Sequence, residues 1–256
     1  MSHSVRLTVA ALAATTISIA AAAEVETSAK AEALIAMHDL ATSVSIGHYY
    51  LKQETLLAVR SQLARIGREE GLGAQWNPAN AYWRQAEEAL LEEVTAQVER
   101  DFASLQWLRP LWVNLSRREF SDQELDALIA HFRSEVGRKQ IQIVDHTVST
   151  HVMMALSFSG KLKDVPGLDE ERSRMQRLWN DEDNAMRFSI QDAANAEGQR
   201  FALSPLGKKY FATAVLKLTG IVNRRIDDLA AQLPASAQTS LERVRPLVNE
   251  FKSGRV

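Results

Sequence analysis

Apolar residues recur at intervals of three and four through almost the whole chain beyond its first two dozen positions, and no run alternates with the period of a strand. That spacing predicts an all-α protein, an irregular bundle of six to eight helices with no sheet. Leu91, Val94, Val98, Phe102 and Leu105 define one buried stripe, with Trp83 on the same face. Ile141, Val144, Val148, Val152 and Ala155 define a second, and Phe211, Val215, Leu218, Val222, Ile226 and Leu229 a third. Between Ala31 and Ile66 the pattern fits one long helix or two joined near Gly47. GREEGLGAQWNPAN, with three Gly and one Pro, should be a turn region, and Asn77-Pro78 reads as a cap with Pro in the first helical position. Pro110 should end or kink the helix before it, and Pro234 should stop the long helix behind Phe211. A charged helix is expected from about Asp169 to Ala196.

The first 23 residues put Arg6 before a Leu/Val/Ile/Ala/Thr stretch that ends in small residues, as a secretory signal peptide does. Ala21 and Ala23 suit the positions before the cut, which would leave Glu24 as the first mature residue. An uncleaved anchor is the alternative, but Thr8, Thr15, Thr16 and Ser18 interrupt a stretch already short for a bilayer. The reading is therefore a periplasmic protein with no membrane anchor after cleavage, or else a secreted or leader-anchored one. Removing Arg6 with the leader leaves 29 basic against 32 acidic residues, a formal charge of -3, so no overall basic field favours nucleic acid. The remaining 24–256 is expected to be a single all-α domain rather than two subdomains divided near Gly160. With no Cys, the chain has no disulfide, lipid acceptor or thiolate chemistry.

Ser121 with Glu124 forms a capping box before Leu125, Leu128, Ile129 and Phe132, and Ser134 caps the following helix. Within residues 108–148, Phe120, Ser121, Glu124, Leu125, Phe132, Ser134, Gly137 and Lys139 follow a pattern of the form F-T-x-E-E-L … F-Y-x-S-P-x-G-Q-K. The segment thereby resembles the bacterial domain-of-unknown-function family 2059. Gln123, His131, Glu135 and Arg138 depart mildly from that pattern. The resemblance implies an exported, helical protein and assigns no activity. Ser134-Glu-Val-Gly137-Arg-Lys139 also recurs as Ser204-Pro-Leu-Gly207-Lys-Lys209, each after a Phe (Phe132, Phe201). A diverged second copy over 201–229 and chance similarity both remain open. The motif residues suit a structural corner, while the free N–H groups at either helix start, beside Lys139 or Lys209, offer an alternative anion site.

No H-E-x-x-H, G-x-S-x-G or S-x-x-K occurs, no His pair stands at i and i+4, and no Glu precedes a His by three. No cofactor or metal is therefore assigned. His146 and His151, five apart, turn away from each other, and Glu87, Glu88, Glu92 and Glu93 read as a solvated acidic face. Trp76, Tyr82, Trp83, Trp107 and Trp112 gather within forty positions, either as packing at helix ends or as a binding surface for a peptide, glycan or partner. These features favour a non-enzymatic binding or scaffold protein of the cell envelope, working on another envelope protein or by self-association. The alternative is a hydrolase or small-molecule binder with a site assembled from distant helices around His131, Glu124 and Lys139. An amphipathic membrane contact through LERVRPLVNEFKSGRV is disfavoured by Pro246.

Overall fold

The computed structural model describes residues 25–161, 173 and 194–254, and these form an all-α bundle with no strand among them. The leader expected over 1–23 and most of the charged helix expected from Asp169 lie outside the described residues. The helices are α1 (25–35), α2 (Leu40–Glu69), α3 (Ala81–Val98), α4 (Leu108–Glu119), α5 (Asp122–Arg133) and α6 (Glu135–Phe158). They continue with α7 (Ala194–Leu203), α8 (Pro205–Phe211), α9 (Leu218–Thr239) and α10 (Arg245–Ser253). A π turn, Glu99–Ala103, extends α3, and a second, Ala212–Lys217, joins α8 to α9 in one continuous rod. No helix among the described residues is long and apolar enough to cross a membrane.

Most of the stripe residues bury as their spacing predicts, but Leu91, Leu105, Ala155, Phe211 and Val215 are only partly buried, and Leu90, Leu156, Tyr210 and Ala214 beside them take the core positions. The buried residues form two clusters. Residues of α2, α3, α9 and α10 enclose one, with Val148, Val152 and Leu156 of α6. The other gathers Ala31, Leu34 and Ile35 of α1, residues of α4 and α5, Ile141 and Val144 of α6, and Tyr210 and Ala214. Two long rods, α6 and α8–α9, thus run through both clusters and tie them together.

Several boundaries differ from the sequence reading. The first helical region breaks at residues 36–39, not at Gly47, because Asp39 caps α2: Oδ1 accepts from the Thr42 amide at 3.2 Å and Oδ2 from the Thr42 hydroxyl at 2.7 Å. Gly47 is mid-helix, where a Cβ would crowd Ile226 and Phe102, so the residue permits a close crossing of α2 and α9. Asn77 closes a turn onto the Ala79 amide, and Asn80, accepting from the Tyr82 amide at 2.8 Å, is the true cap of α3. Gly71 and Gly73 take positive φ in the expected turn region. Pro110 stands in the first turn of α4, where its missing N–H has no helical partner to lose. The preceding break falls instead at Ser104–Trp107, with Leu105 at φ 60°. Pro234 lies inside α9, which continues to Thr239; its exposed position lets the ring sit without meeting a packed neighbour.

Candidate functional site

The polar groups that the fold concentrates lie where the two apolar clusters meet. Asp145 falls on the stripe of α6 between Val144 of one cluster and Val148 of the other, and burial there obliges its carboxylate to find donors. Three supply them. His38 Nδ1 lies 2.7 Å from Oδ1, the Ser43 hydroxyl donates to the same oxygen at 3.1 Å, and the Asp39 amide donates to Oδ2 at 2.7 Å. The carboxylate therefore closes the N-terminal end of α2, where a helix favours negative charge.

Tyr210, from α8, completes the chain of contacts with its hydroxyl 2.7 Å from His38 Nε2. Burial first, and then the Asp145 charge, push the phenol well above its usual pKa, so it stays protonated and donates. His38 then accepts at Nε2 and donates from Nδ1 to Asp145, a tautomer fixed by the hydrogen-bond network. Trp112 of α4 lies edge-on to His38, with ring centroids 5.6 Å apart. Tyr210, Trp112 and the His38 side chain are fully buried and Asp145 is 1% exposed. An Asp–His–hydroxyl chain has the order of an acid–base relay, yet here its terminal oxygen meets protein on every side. What it can do is join the bend before α2 to α6 and α8.

The two recurrent segments form matching helix corners beside this node. Ser134 and Ser204 have nearly equal backbone angles, φ -68° and ψ 162° against φ -65° and ψ 157°. Each Ser hydroxyl accepts from the Gly three residues on, Gly137 or Gly207, at 3.0 Å. A Cβ on Gly137 would collide with the His131 carbonyl, and one on Gly207 with the Phe201 carbonyl. The close neighbour is thus the helix just ended. This geometry pairs Phe201 with His131, not with Phe132 as the sequence comparison set them, and the two paired rings stack with centroids 3.7 Å apart.

The corners interlock. Phe132 lies 4.6 Å from Tyr210 and 5.4 Å from Phe201 between ring centroids, and Phe120 lies 6.3 Å from Tyr210. The Ser121–Glu124 capping box is present in full, and Leu125 behind it is buried. Lys209 of the second corner donates to both Glu124 oxygens at 2.8 Å and stands 5.3 Å from the Phe120 ring centroid. Lys209 foremost, then the Ser121 backbone, hold the Glu124 carboxyl below its ordinary pKa. Lys139 is outside this assembly and pairs with Glu135 of its own helix at 3.0 Å. His131 instead contacts Gln140 at 2.6 Å. His131, Glu124 and Lys139 are therefore not assembled into one site, because each is already engaged by a different neighbour.

The aromatic residues read as a possible surface pack inward as two separate groups. Trp76, with Nε1 donating to the Leu63 carbonyl at 2.9 Å, meets Trp83 and Phe251 edge-on, and Tyr82 meets Phe251. Trp107 stacks on Phe102, while Trp112 belongs to the other core. Trp76, Trp83 and Trp112 are buried and Tyr82 and Trp107 half-buried, so helix-end packing accounts for them and a continuous exposed surface does not. Glu87, expected on a solvated face, is also buried and pairs with Arg60 at 2.5 Å.

Sequence reasoning missed the central node. Its available signal was Asp145 at the register of an apolar stripe, a place where a carboxylate must find donors. Among the described residues no three His, Asp or Glu side chains converge as metal ligands. No family model, curated protein or solved structure matches the chain.

Proposed function

We propose that the chain is an exported, non-enzymatic helical protein of the bacterial cell envelope, related to the domain-of-unknown-function family 2059. It acts by binding an envelope partner or by self-association. The observation that carries this reading is the commitment of its acid–base side chains to helix joining. Asp145, His38 and Tyr210 are sealed in the core, and Glu124 is held by Ser121 and Lys209. The leader-like first 23 residues support export, and the helical corners at Ser134 and Ser204 agree with the architecture the resemblance implies.

The test expresses the full chain from its own leader in a bacterial host, crosslinks intact cells and separates the compartments. Crosslinked species larger than the monomer in the periplasmic fraction are expected. Bare monomer only, or retention in the cytoplasm, contradicts the proposal. A second reading, small-ligand binding, is favoured by one feature, an open cleft of about 340 Å³ between α2 and the first π turn.

A further inference from the structure

The cleft beside α2 combines a partly apolar lining, a rim that holds one ammonium, one carboxylate and one imidazole, and a distorted backbone wall. Ala41, Val44, Ser45, His48 and Lys52 lie along one face of α2, at helical spacing, with Tyr49 beside them and Ala103 of the π turn opposite. A volume of about 340 Å³ admits a small ring or short chain. Across the rim, one carboxylate serves two basic groups. Glu99 Oε1 lies 2.9 Å from His48 Nε2 but 3.6 Å from Lys52 Nζ. Lys52 is therefore held by charge alone, outside hydrogen-bond distance, and its half-exposed ammonium keeps donors for an incoming anion.

The wall carrying Glu99 and Ala103 is irregular. A π turn puts one extra residue into the helix at this position, and Leu105, two residues beyond it, has φ 60°, which a bulky side chain adopts only at a cost. The distortion is held from outside the cleft: the Arg225 guanidinium donates to the Asp101 carbonyl at 2.9 Å, and the Trp107 indole to the Phe102 carbonyl at 2.8 Å. Strain kept beside a lined cleft is characteristic of a binding site.

We infer that the cleft between α2 and the Glu99–Ala103 π turn binds a small monocarboxylate with an apolar body. The body lies against Val44 and Ala103, and the carboxylate takes Lys52 in place of Glu99. Glu99, still paired with His48, keeps the rim from holding multiply charged anions, so inorganic phosphate is a poor ligand. This inference deepens the small-ligand reading and rests on it, but not on export or on a protein partner.

Titration of the purified full chain with benzoate, followed by amide and histidine NMR shifts, tests it. Benzoate should give saturable shifts centred on residues 41–52 and 99–105. Benzamide and inorganic phosphate should give none that saturate over the same range. Lys52→Met, an exposed change that leaves the core intact, should weaken benzoate binding about tenfold or more. Ala103→Leu should abolish it by filling the cleft, with circular dichroism to confirm that this variant is folded. Absence of saturable benzoate shifts, equal binding of benzamide or phosphate, or unchanged affinity in Lys52→Met would overturn the inference. Export and partner capture in cells are read independently, so a failure here is distinguishable from failure of the envelope proposal.

Discussion

Tyr210 differs from phenylalanine by one hydroxyl, and that hydroxyl is the donor His38 Nε2 receives inside the core. Tyr210→Phe keeps the ring contacts with Phe120 and Phe132 but leaves the imidazole acceptor unpaired, which costs about 1–3 kcal/mol. Urea unfolding should show this as a lower midpoint at unchanged slope. Asp145→Ala strands three donors, one of them a backbone amide at the end of α2, and should cost more than Tyr210→Phe. Glu124 gives a pH-dependent counterpart. Its folded pKa is lowered from the ordinary 4.5, so its contribution is complete above that value and fades as pH falls through the lower folded value. Glu124→Gln should therefore be less stable than wild type at neutral pH and approach it only as pH falls below the lowered folded value, where both side chains are uncharged. A constant difference across that range would contradict the pairing with Lys209.

At the scale of elements, the two Ser-capped corners act as right-sized joints because glycine stands at the third helical position of each. Gly207→Ala must push the Phe201 carbonyl away and disturb the Phe201–His131 stack, and Gly137→Ala does the same at the first corner. Each should lower stability by about 2 kcal/mol or more, visible as a lower melting temperature, whereas Gly220→Ala, with no close neighbour but Arg224, should not. Pro234→Ala should act in the opposite direction. The residue is exposed within α9, and an alanine restores an amide donor, so a gain of about 1–3 kcal/mol is expected in thermal unfolding. These corners were readable from sequence because a Ser cap, its Gly and the Ser121–Glu124 box are local patterns. The true cap Asn80 and the break at Asp39 were less readable. Asn77-Pro78 offered an equally good local signal upstream, and Asp39 acquires its position from a contact with Asp145 more than a hundred residues away.

For the molecule as a whole, periodicity disclosed the class and the core stripes, since Val144, Val148, Val222 and Ile226 bury as spaced. It could not disclose that the stripes divide between two clusters, because α6 and the α8–α9 rod change partners along their length. The seam between the clusters is where His38, Asp145 and Tyr210 meet, and no local pattern joins residues so distant in sequence. The aromatic residues near Trp76 and Trp107 illustrate the same limit: their clustering was legible, but burial followed from the arrival of Phe251 and the packing on Phe102. Our central proposal is that this all-helical body works outside the cytoplasm by association with a partner or with itself. The most direct test is intact mass, before and after crosslinking, of the chain recovered from the periplasm of a host expressing it with its own leader. The account predicts a mature chain beginning at Glu24 that shifts into a larger crosslinked species; a full-length, leader-bearing chain confined to the cytoplasm and recovered only as monomer would contradict it.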